Sequence, residues 1–368
     1  MKKELLLTLA VTTLTVTLTL TGIRYYAPQL LGIPADLQLV QVAEEVPPFY
    51  DNVFRDEDHS SQDFFINDPT LRRQMPLYPE TEINGPHDIL GFRNRAVPNR
   101  PDIITIGDSQ TYGSNASLAQ NWPSRLGAEL GDEAKVYNMG VHGWGPAEYL
   151  EIFRKALYFS PRAIVFAFYT GNDPADTFIR VYGDDRWRDY RADPNLDESD
   201  YPEVEWPVPR EQIEFAPLPG SGRIGFTPTL RLVSNLDDPA VDAAWVIMEK
   251  LAEEIGRVAT ANNLPVVFTI IPTKELVFSK RLVAEGSQMS PTYYALVDQE
   301  KKRIETFAKK LLQISGSLYV DLLTPLSEAV FETPEIYPSS PDGHPLPAGY
   351  ELIAKTLAPS IKLLMRRE

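Results

Sequence analysis

The stretch "DIITIGDSQTYG" (residues 102–113) decides the fold. Its apolar run ends abruptly in Gly107, Asp108 and Ser109, which are residues with turn chemistry. That pattern is typical of a buried strand whose carboxyl end opens into a loop. Open α/β sheets bind their ligands at the carboxyl ends of the strands. The stretch therefore predicts an α/β protein with Ser109 at the functional edge of its sheet.

Four further apolar runs repeat this pattern along the chain, at residues 135–140, 162–169, 264–272 and 317–323. Amphipathic stretches separate them, and residues 241–262 have the clearest helical spacing. Strand and helix in alternation predict a doubly wound α/β domain with a parallel, five-stranded sheet and helices on both faces. Pro347 suits the first turn of a last helix, which Pro359 is expected to bend or interrupt.

The N-terminus predicts a membrane anchor over residues 1–24. Leu5 to Ile23 carries no charge and follows Lys2 and Lys3. Its length is near the roughly 20 residues that a spanning helix needs. No cleavage signal follows, so we expect an uncleaved, single-pass anchor in a bacterial cell membrane, with the rest of the chain facing the periplasm or the outside. A buried N-terminal helix of a soluble protein is the alternative.

The remaining chain divides by composition. Residues 25–100 are rich in Pro, Asp and Asn and predict a linker with an irregular extension. Residues 101–368 form the α/β domain, with a long, acidic and aromatic insertion at 174–240. The insertion is either a solvated excursion or a lid that stacks aromatic side chains on a ligand. Those side chains are Trp187, Tyr190, Tyr201 and Trp206.

Composition excludes several classes of function. The chain has 35 Lys and Arg against 51 Asp and Glu, a formal charge of -16, which disfavours nucleic acid as a partner. It has no cysteine, so thiol nucleophiles and cysteine-bound metals are excluded. Its four histidines show no metal-binding spacing. We therefore predict neither a metal nor a cofactor.

Four residues that follow the predicted strands suit acyl transfer together with Ser109. His344 is the candidate base, and Asp342 is the candidate acid that orients it. The N–H groups of Ser109 and Gly140 and the side-chain amide of Asn172 are the candidate donors to an oxyanion. Each motif alone is common, and the set in this order is specific.

These residues resemble the SGNH/GDSL hydrolase superfamily. "GDSQTYG" resembles its first block, "NMGVHGWG" its second, "GND" its third and "DGH" its last. The resemblance implies a three-layer α/β/α, flavodoxin-like fold and a serine esterase or acyltransferase that needs no cofactor. The run "LGFRNRAVPNRPDIITIGDSQTYG" further resembles membrane-anchored bacterial members, some of which modify cell-envelope polysaccharides.

One departure from the family pattern bears on function. The familiar acid stands three residues before the histidine, where this chain has Pro341, whereas Asp342 stands two before it. That spacing is similar to the one in envelope polysaccharide O-acetyltransferases. The leading hypothesis is a serine-dependent esterase or O-acyl (O-acetyl) transferase acting on a cell-envelope carbohydrate or related ester through an acyl-enzyme. A non-catalytic glycan-binding or scaffold protein and a lysophospholipase or thioesterase are the alternatives.

Overall fold

The computed structural model describes residues 65–66, 71, 73–131, 134–205, 207–218 and 222–366. The chain divides into two compact units, of which the first comprises Met1–Arg55 and Arg95–Val97. The second unit, Asp56–Asn94 with Pro98–Glu368, contains every element and site described below. The predicted anchor at 1–24 lies outside the described residues. Among the helices that are described, none has both the length and the apolar character to cross a bilayer.

Five parallel strands form the central sheet, as predicted. The strands of the chain are β1 (Phe65–Ile66), β2 (Arg73–Gln74), β3 (Ile103–Gly107), β4 (Val136–Asn138), β5 (Ala163–Tyr169), β6 (Glu214–Leu218), β7 (Gly222–Phe226), β8 (Val266–Ile271) and β9 (Ser317–Asp321). The central sheet has the order β4-β3-β5-β8-β9, while β1-β2 and β6-β7 are antiparallel pairs. The connection from β3 leads to β4 on one side of the sheet, and the connection from β5 leads to β8 on the other. This divergence opens a crevice above the carboxyl ends of β3 and β5.

Ten α-helices are described, along with several short 3₁₀ turns. They are α1 (Ser109–Tyr112), α2 (Trp122–Leu130), α3 (Pro146–Ala156), α4 (Asp173–Gly183), α5 (Pro228–Leu232), α6 (Pro239–Ala261), α7 (Lys274–Ala284), α8 (Pro291–Leu311), α9 (Leu323–Glu332) and α10 (Pro347–Met365). Helix α10 continues through Pro359, so the predicted interruption does not occur. Pro359 lies on the exposed side of the helix, as does Lys355, whose carbonyl loses its partner and faces water there.

Side chains that alternate along β5 define two helical layers. Val165 and Ala167 belong to an apolar core that also contains buried side chains of α2 and α10. Phe166 and Phe168 point to the other face, because Phe166 packs edge-on against Phe153 of α3 and Phe168 against Phe307 of α8. The sheet is therefore covered on both faces, which is the three-layer α/β/α arrangement that a parallel sheet requires.

The segment predicted as an insertion contains most of α4, the β6-β7 hairpin and α5. Two of the four side chains predicted to stack on a ligand are buried, Trp187 and Tyr201, each 6% exposed. The ring of Tyr190 lies 5.6 Å from that of Trp187. Trp206 lies outside the described residues. The segment thus has a packed interior of its own.

Candidate active site

The turn after β3 presents Ser109 at the start of α1. Asp108 caps that helix, since its Oδ1 accepts the N–H of Gln110 at 2.8 Å. Gly107 makes the turn possible, because a Cβ there would lie 2.1 Å from Thr111 Oγ1 and 2.9 Å from the carbonyl oxygen of Ala167. Close contact on both sides places the Ser109 hydroxyl at the edge of the sheet.

Ser109, His344 and Asp342 form a continuous hydrogen-bonded chain. His344 Nδ1–H donates to Asp342 Oδ1 at 2.7 Å, and Ser109 Oγ–H donates to His344 Nε2 at 2.8 Å. The carboxylate holds the ring proton on Nδ1, so Nε2 is the lone pair that receives the serine proton. An acid two residues before the histidine, as in this chain, therefore permits the contact between carboxylate and imidazole Nδ1.

Asp342 is held by both of its oxygens. Its Oδ1 also accepts the backbone N–H of His344 at 2.9 Å, and its Oδ2 accepts the side-chain amide of Asn115 at 2.8 Å. Burial alone would raise the pKa of Asp342, but these hydrogen bonds and the charge of His344 together hold it well below its usual range. Asp342 is consequently an anion throughout the neutral range.

Two of the three predicted oxyanion donors lie beside this chain of contacts. The N–H of Ser109 makes no hydrogen bond within the described residues and is open to a ligand. The Asn172 amide, at the end of β5, donates to Asp176 Oδ2 at 2.5 Å. A substrate oxygen must therefore compete with the Asp176 carboxylate for that amide.

Gly140 differs from its predicted role. Its N–H donates to Asn138 Oδ1 at 2.8 Å, so it is not offered to a ligand. A Cβ on Gly140 would lie 2.5 Å from Tyr112 N, which shows that the glycine allows the loop to pack on α1. Gly143, three residues further on, is exposed, has φ +70° and leaves its N–H unbonded in the described part of the chain. It is the glycine of this loop whose N–H makes no hydrogen bond to another described residue.

Two buried carboxylates brace the strand ends behind Ser109. Burial raises the pKa of Asp108 to about 6, although the N–H of Gln110 and the charge of His344 oppose the shift. Burial and the neighbouring Asp108 raise the pKa of Asp173 well above its usual range. Asp173 accepts the N–H of Tyr169 at 2.9 Å and the hydroxyl of Tyr149 at 3.0 Å. These groups fix the two strand ends, and Asp108 Oδ2 also accepts the Ser109 hydroxyl at 3.4 Å.

A buried arginine secures the loop that carries Ser109. Arg93 is fully buried and donates four hydrogen bonds to backbone carbonyls, those of Gly85 (2.9 Å), Tyr112 (3.2 Å), Gly113 (2.6 Å) and Ala116 (2.7 Å). It belongs to the Gly-Phe-Arg segment of the sequence, for which no role was predicted. Its bonds tie that segment to the C-terminal end of α1 and to the loop that follows it.

A buried lysine secures the loop that carries His344 in a similar way. Lys274 Nζ, at the start of α7, donates to the carbonyls of Pro338 and Ser340 at 2.7 Å and of Asp342 at 3.4 Å. Burial lowers the pKa of Lys274 to about 8, although Glu275 and Asp342 oppose the shift. Lys274 is thus a positioning residue that the sequence analysis did not find, although it too follows a strand end.

A second serine and histidine lie in contact nearby. His142 Nδ1 lies 2.9 Å from Gln74 Nε2, and His142 Nε2 lies 2.9 Å from Ser114 Oγ. The Nδ1 of His142 thus contacts a neutral amide, whereas that of His344 contacts a carboxylate, which stabilises an imidazolium.

A cavity of about 610 Å³ opens beside Asn172. Its lining combines Gly171 and Asn172 with two stretches of the predicted insertion. The first stretch is Glu198–Val204 without Asp200, and the second is Leu230–Ser234 without Leu232. Tyr201 is the one of the four predicted stacking aromatics that lines it. The insertion therefore supplies a wall of the crevice. Among the described residues, no group of three or more His, Cys, Asp or Glu side chains is arranged to hold a metal ion.

Comparisons with known proteins agree with this geometry. The model of the GDSL-like lipase/acylhydrolase family matches residues 105–352. No curated protein matches the chain. Similar folds include a catalytic mutant of an acetylxylan esterase from Geobacillus stearothermophilus, with 12% identity, a TM-score of 0.39, and 72% of this chain and 95% of that one covered. A member of the lipolytic G-D-S-L family from Veillonella parvula DSM 2008 has 12% identity and a TM-score of 0.37, with 69% and 94% covered. Likeness at this level carries no information on substrate.

Proposed function

The chain belongs to the GDSL-like lipase/acylhydrolase family, and on that premise we propose that it is a serine-dependent esterase or O-acyltransferase with Ser109 as its nucleophile. Family membership itself implies ester hydrolysis. The observation that supports the assignment of residues is the chain of contacts from Asp342 through His344 to Ser109. A binding module has no need of a serine matched to an oriented base.

The proposed reaction has two halves. Ser109 Oγ attacks the acyl carbonyl while His344 Nε2 takes its proton, and Asp342 stabilises the imidazolium that results. The oxyanion is met by the N–H of Ser109 and the amide of Asn172, with the N–H of Gly143 as the third donor. His344 then protonates the departing alcohol, which leaves an acyl-Ser109. In the second half a water or a sugar hydroxyl attacks that ester while His344 Nε2 takes its proton. The bond between the acyl carbon and Ser109 Oγ then breaks, and His344 returns the proton to Oγ.

The proposed substrate is an ester on a cell-envelope carbohydrate. The cavity beside Asn172 is large enough for a sugar residue, and Tyr201 offers an aromatic wall. Both hydrogen-bonding and apolar side chains line it, which suits amphipathic sugar rings. Long acyl chains of a lysophospholipid would favour a wholly apolar lining.

The experiment uses an acetyl ester donor with and without an unacetylated envelope glycan. Loss of free acetate and acetylation of the glycan would establish transfer, and acetate release that the glycan never suppresses would establish hydrolysis. Ser109→Ala is the control for both. Faster turnover of lysophospholipid or acyl thioester than of acetylated glycan would contradict the carbohydrate assignment.

The same proposal places the catalytic domain outside a bacterial membrane, anchored by residues 1–24. The uncharged run from Leu5 to Ile23 behind two lysines supports it. In untreated cells the chain should be recovered with the membrane fraction. Protease added to intact spheroplasts should digest the catalytic domain. Recovery of the full-length chain in a soluble fraction would contradict the anchor.

A further inference from the structure

Arg231 of α5 makes no ion pair with a described residue, although the charges of Glu275, Asp342 and Asp108 act on it. Within the described residues its guanidinium makes no side-chain hydrogen bond, and its Nε is buried without an acceptor. The buried carboxylate of Glu275 is engaged elsewhere, since its Oε1 accepts the N–H of Thr227 at 2.8 Å. Buried polar groups are normally satisfied, so an unsatisfied one indicates a missing partner.

The position of Arg231 relates it to the catalytic loop. A Cβ on Gly343, between Asp342 and His344, would lie 3.1 Å from Arg231 Nη2. The same Cβ would lie 3.1 Å from the hydroxyl of Tyr169, a second buried group without a hydrogen-bond partner. Arg231 Cζ lies 5.6 Å from the centre of the Tyr169 ring. The guanidinium of Arg231 therefore lies against the loop that carries the base.

Arg231 also lines the cavity that begins at Asn172, and it is the only cation among the described residues of that lining. An ester held at Ser109 and Asn172 would extend past its guanidinium. Two carboxylates, Glu198 and Glu203, line the same cavity but are exposed to solvent, where their charge is screened. The cavity therefore carries a cation within it and anions at its exposed rim.

We propose that Arg231 binds a carboxylate of the substrate, so that the preferred ester is borne by an acidic sugar. This inference rests on the proposed function of Ser109 for the position of the ester. The planar guanidinium matches a carboxylate with two parallel hydrogen bonds. A monoanion is favoured over a phosphate dianion because Glu198 and Glu203 stand at the rim.

The first test compares two substrates that differ at one group, mono-O-acetylated methyl glucuronoside and mono-O-acetylated methyl glucoside. The full chain should have a kcat/KM about 10- to 100-fold higher for the glucuronoside, which is the range expected of hydrogen bonds to a charged group. In Arg231→Met the ratio should fall towards one through a rise in KM for the glucuronoside. Arg231→Lys should keep part of the preference, because it retains the charge but loses the fork. Arg257→Met, which removes an exposed arginine of α6, is the matched control and should keep the full ratio.

The second test measures binding without chemistry. Ser109→Ala protein should bind unacetylated methyl glucuronoside more tightly than methyl glucoside, and the added Arg231→Met change should remove the difference. Both tests include thermal unfolding, and if Arg231→Met fails to fold, the wild-type ratio and Arg231→Lys decide the matter.

The two proposals fail in distinguishable ways. Ester turnover at Ser109 with equal kcat/KM for the two acetylated sugars would overturn the carboxylate subsite and leave the serine mechanism intact. A carboxylate preference that survives in Arg231→Met would also overturn it. Binding of the glucuronoside through Arg231 in a chain without esterase activity would support the subsite and remove the proposed reaction.

Discussion

Replacement of Asp342 by asparagine is the substitution that examines the acid of the site most closely. The two carboxylate oxygens of Asp342 accept hydrogen bonds from three donors. These donors are the ring N–H of His344, the backbone N–H of His344 and the side-chain amide of Asn115. Asparagine keeps one oxygen and presents an NH₂ group in place of the other. Whichever way the amide is turned, its NH₂ faces a donor. In one orientation the ring of His344 must move its proton to Nε2, which then cannot receive the proton of Ser109.

The magnitude follows from two lost interactions. One hydrogen bond to a charged group contributes about 1.5–3 kcal/mol. The charge pair with the imidazolium adds about 2–3 kcal/mol at an intermediate dielectric, because the side chains of His344 and Asp342 are 23% and 40% exposed. Their sum of about 3.5–6 kcal/mol corresponds to a loss of roughly 400-fold to 25,000-fold in rate.

The assay is kcat/KM for 4-nitrophenyl acetate at neutral pH, together with the free energy of unfolding in urea. Asp342→Asn should lose activity by that factor and stability by about 1 kcal/mol, because the site is half-exposed. Asp298→Asn, an exposed carboxylate of α8 paired with Lys302, is the matched control and should keep its activity. If Asp342→Asn retained more than a tenth of wild-type activity, Asp342 would not be the residue that orients His344.

Three further predictions concern the support of the site. Arg93→Met should lower the free energy of unfolding by at least about 3 kcal/mol, because four buried carbonyls lose their donor; a loss below 1 kcal/mol in urea denaturation would contradict the clamp. Gly140→Ala should destabilise the protein in a thermal melt and abolish turnover, because the added Cβ would lie 2.5 Å from Tyr112 N. Gly127→Ala in α2 is the control: its Cβ would meet nothing closer than 3.5 Å, so it should be neutral or stabilising in the same melt. Burial raises the pKa of Glu300 from 4.5 to about 7. Between those pH values the folded protein keeps a proton that the unfolded chain has lost. The free energy of unfolding should therefore fall by up to about 3 kcal/mol as pH rises through that window. Glu300→Gln should remove this component from urea titrations taken at pH 4.5 to 7; an unchanged slope would show that Glu300 is ionised in the folded protein.

The sheet was predictable because each buried strand is an uninterrupted apolar run that ends in turn residues. The run at 317–323 is the instructive exception, because β9 stops at Asp321 and α9 begins at Leu323. Both Leu322 and Leu326 are fully buried, so the apolar run continues from strand into helix without a change in composition. Periodicity cannot mark a boundary of that kind.

The contacts among Ser109, His344 and Asp342 were predictable from order and chemistry, whereas their supports were not. Arg93 and Lys274 donate to carbonyls, which every residue has, so no partner can be read from the sequence. The bond from Gly140 N–H to Asn138 arises from a local side chain that competes for the same donor. Arg231 stands in a segment without motif, and its proximity to the catalytic loop depends on how that segment folds back.

The most direct measurement of the central claim is mass spectrometry of the full chain after exposure to a fluorophosphonate probe. Wild type is compared with Ser109→Ala and His344→Ala, each shown to be folded by circular dichroism. The account predicts one covalent adduct on Ser109 that is lost in both variants, because the probe reports a serine activated by its base. An adduct on Ser114 instead, or no adduct on folded wild-type protein, would contradict it.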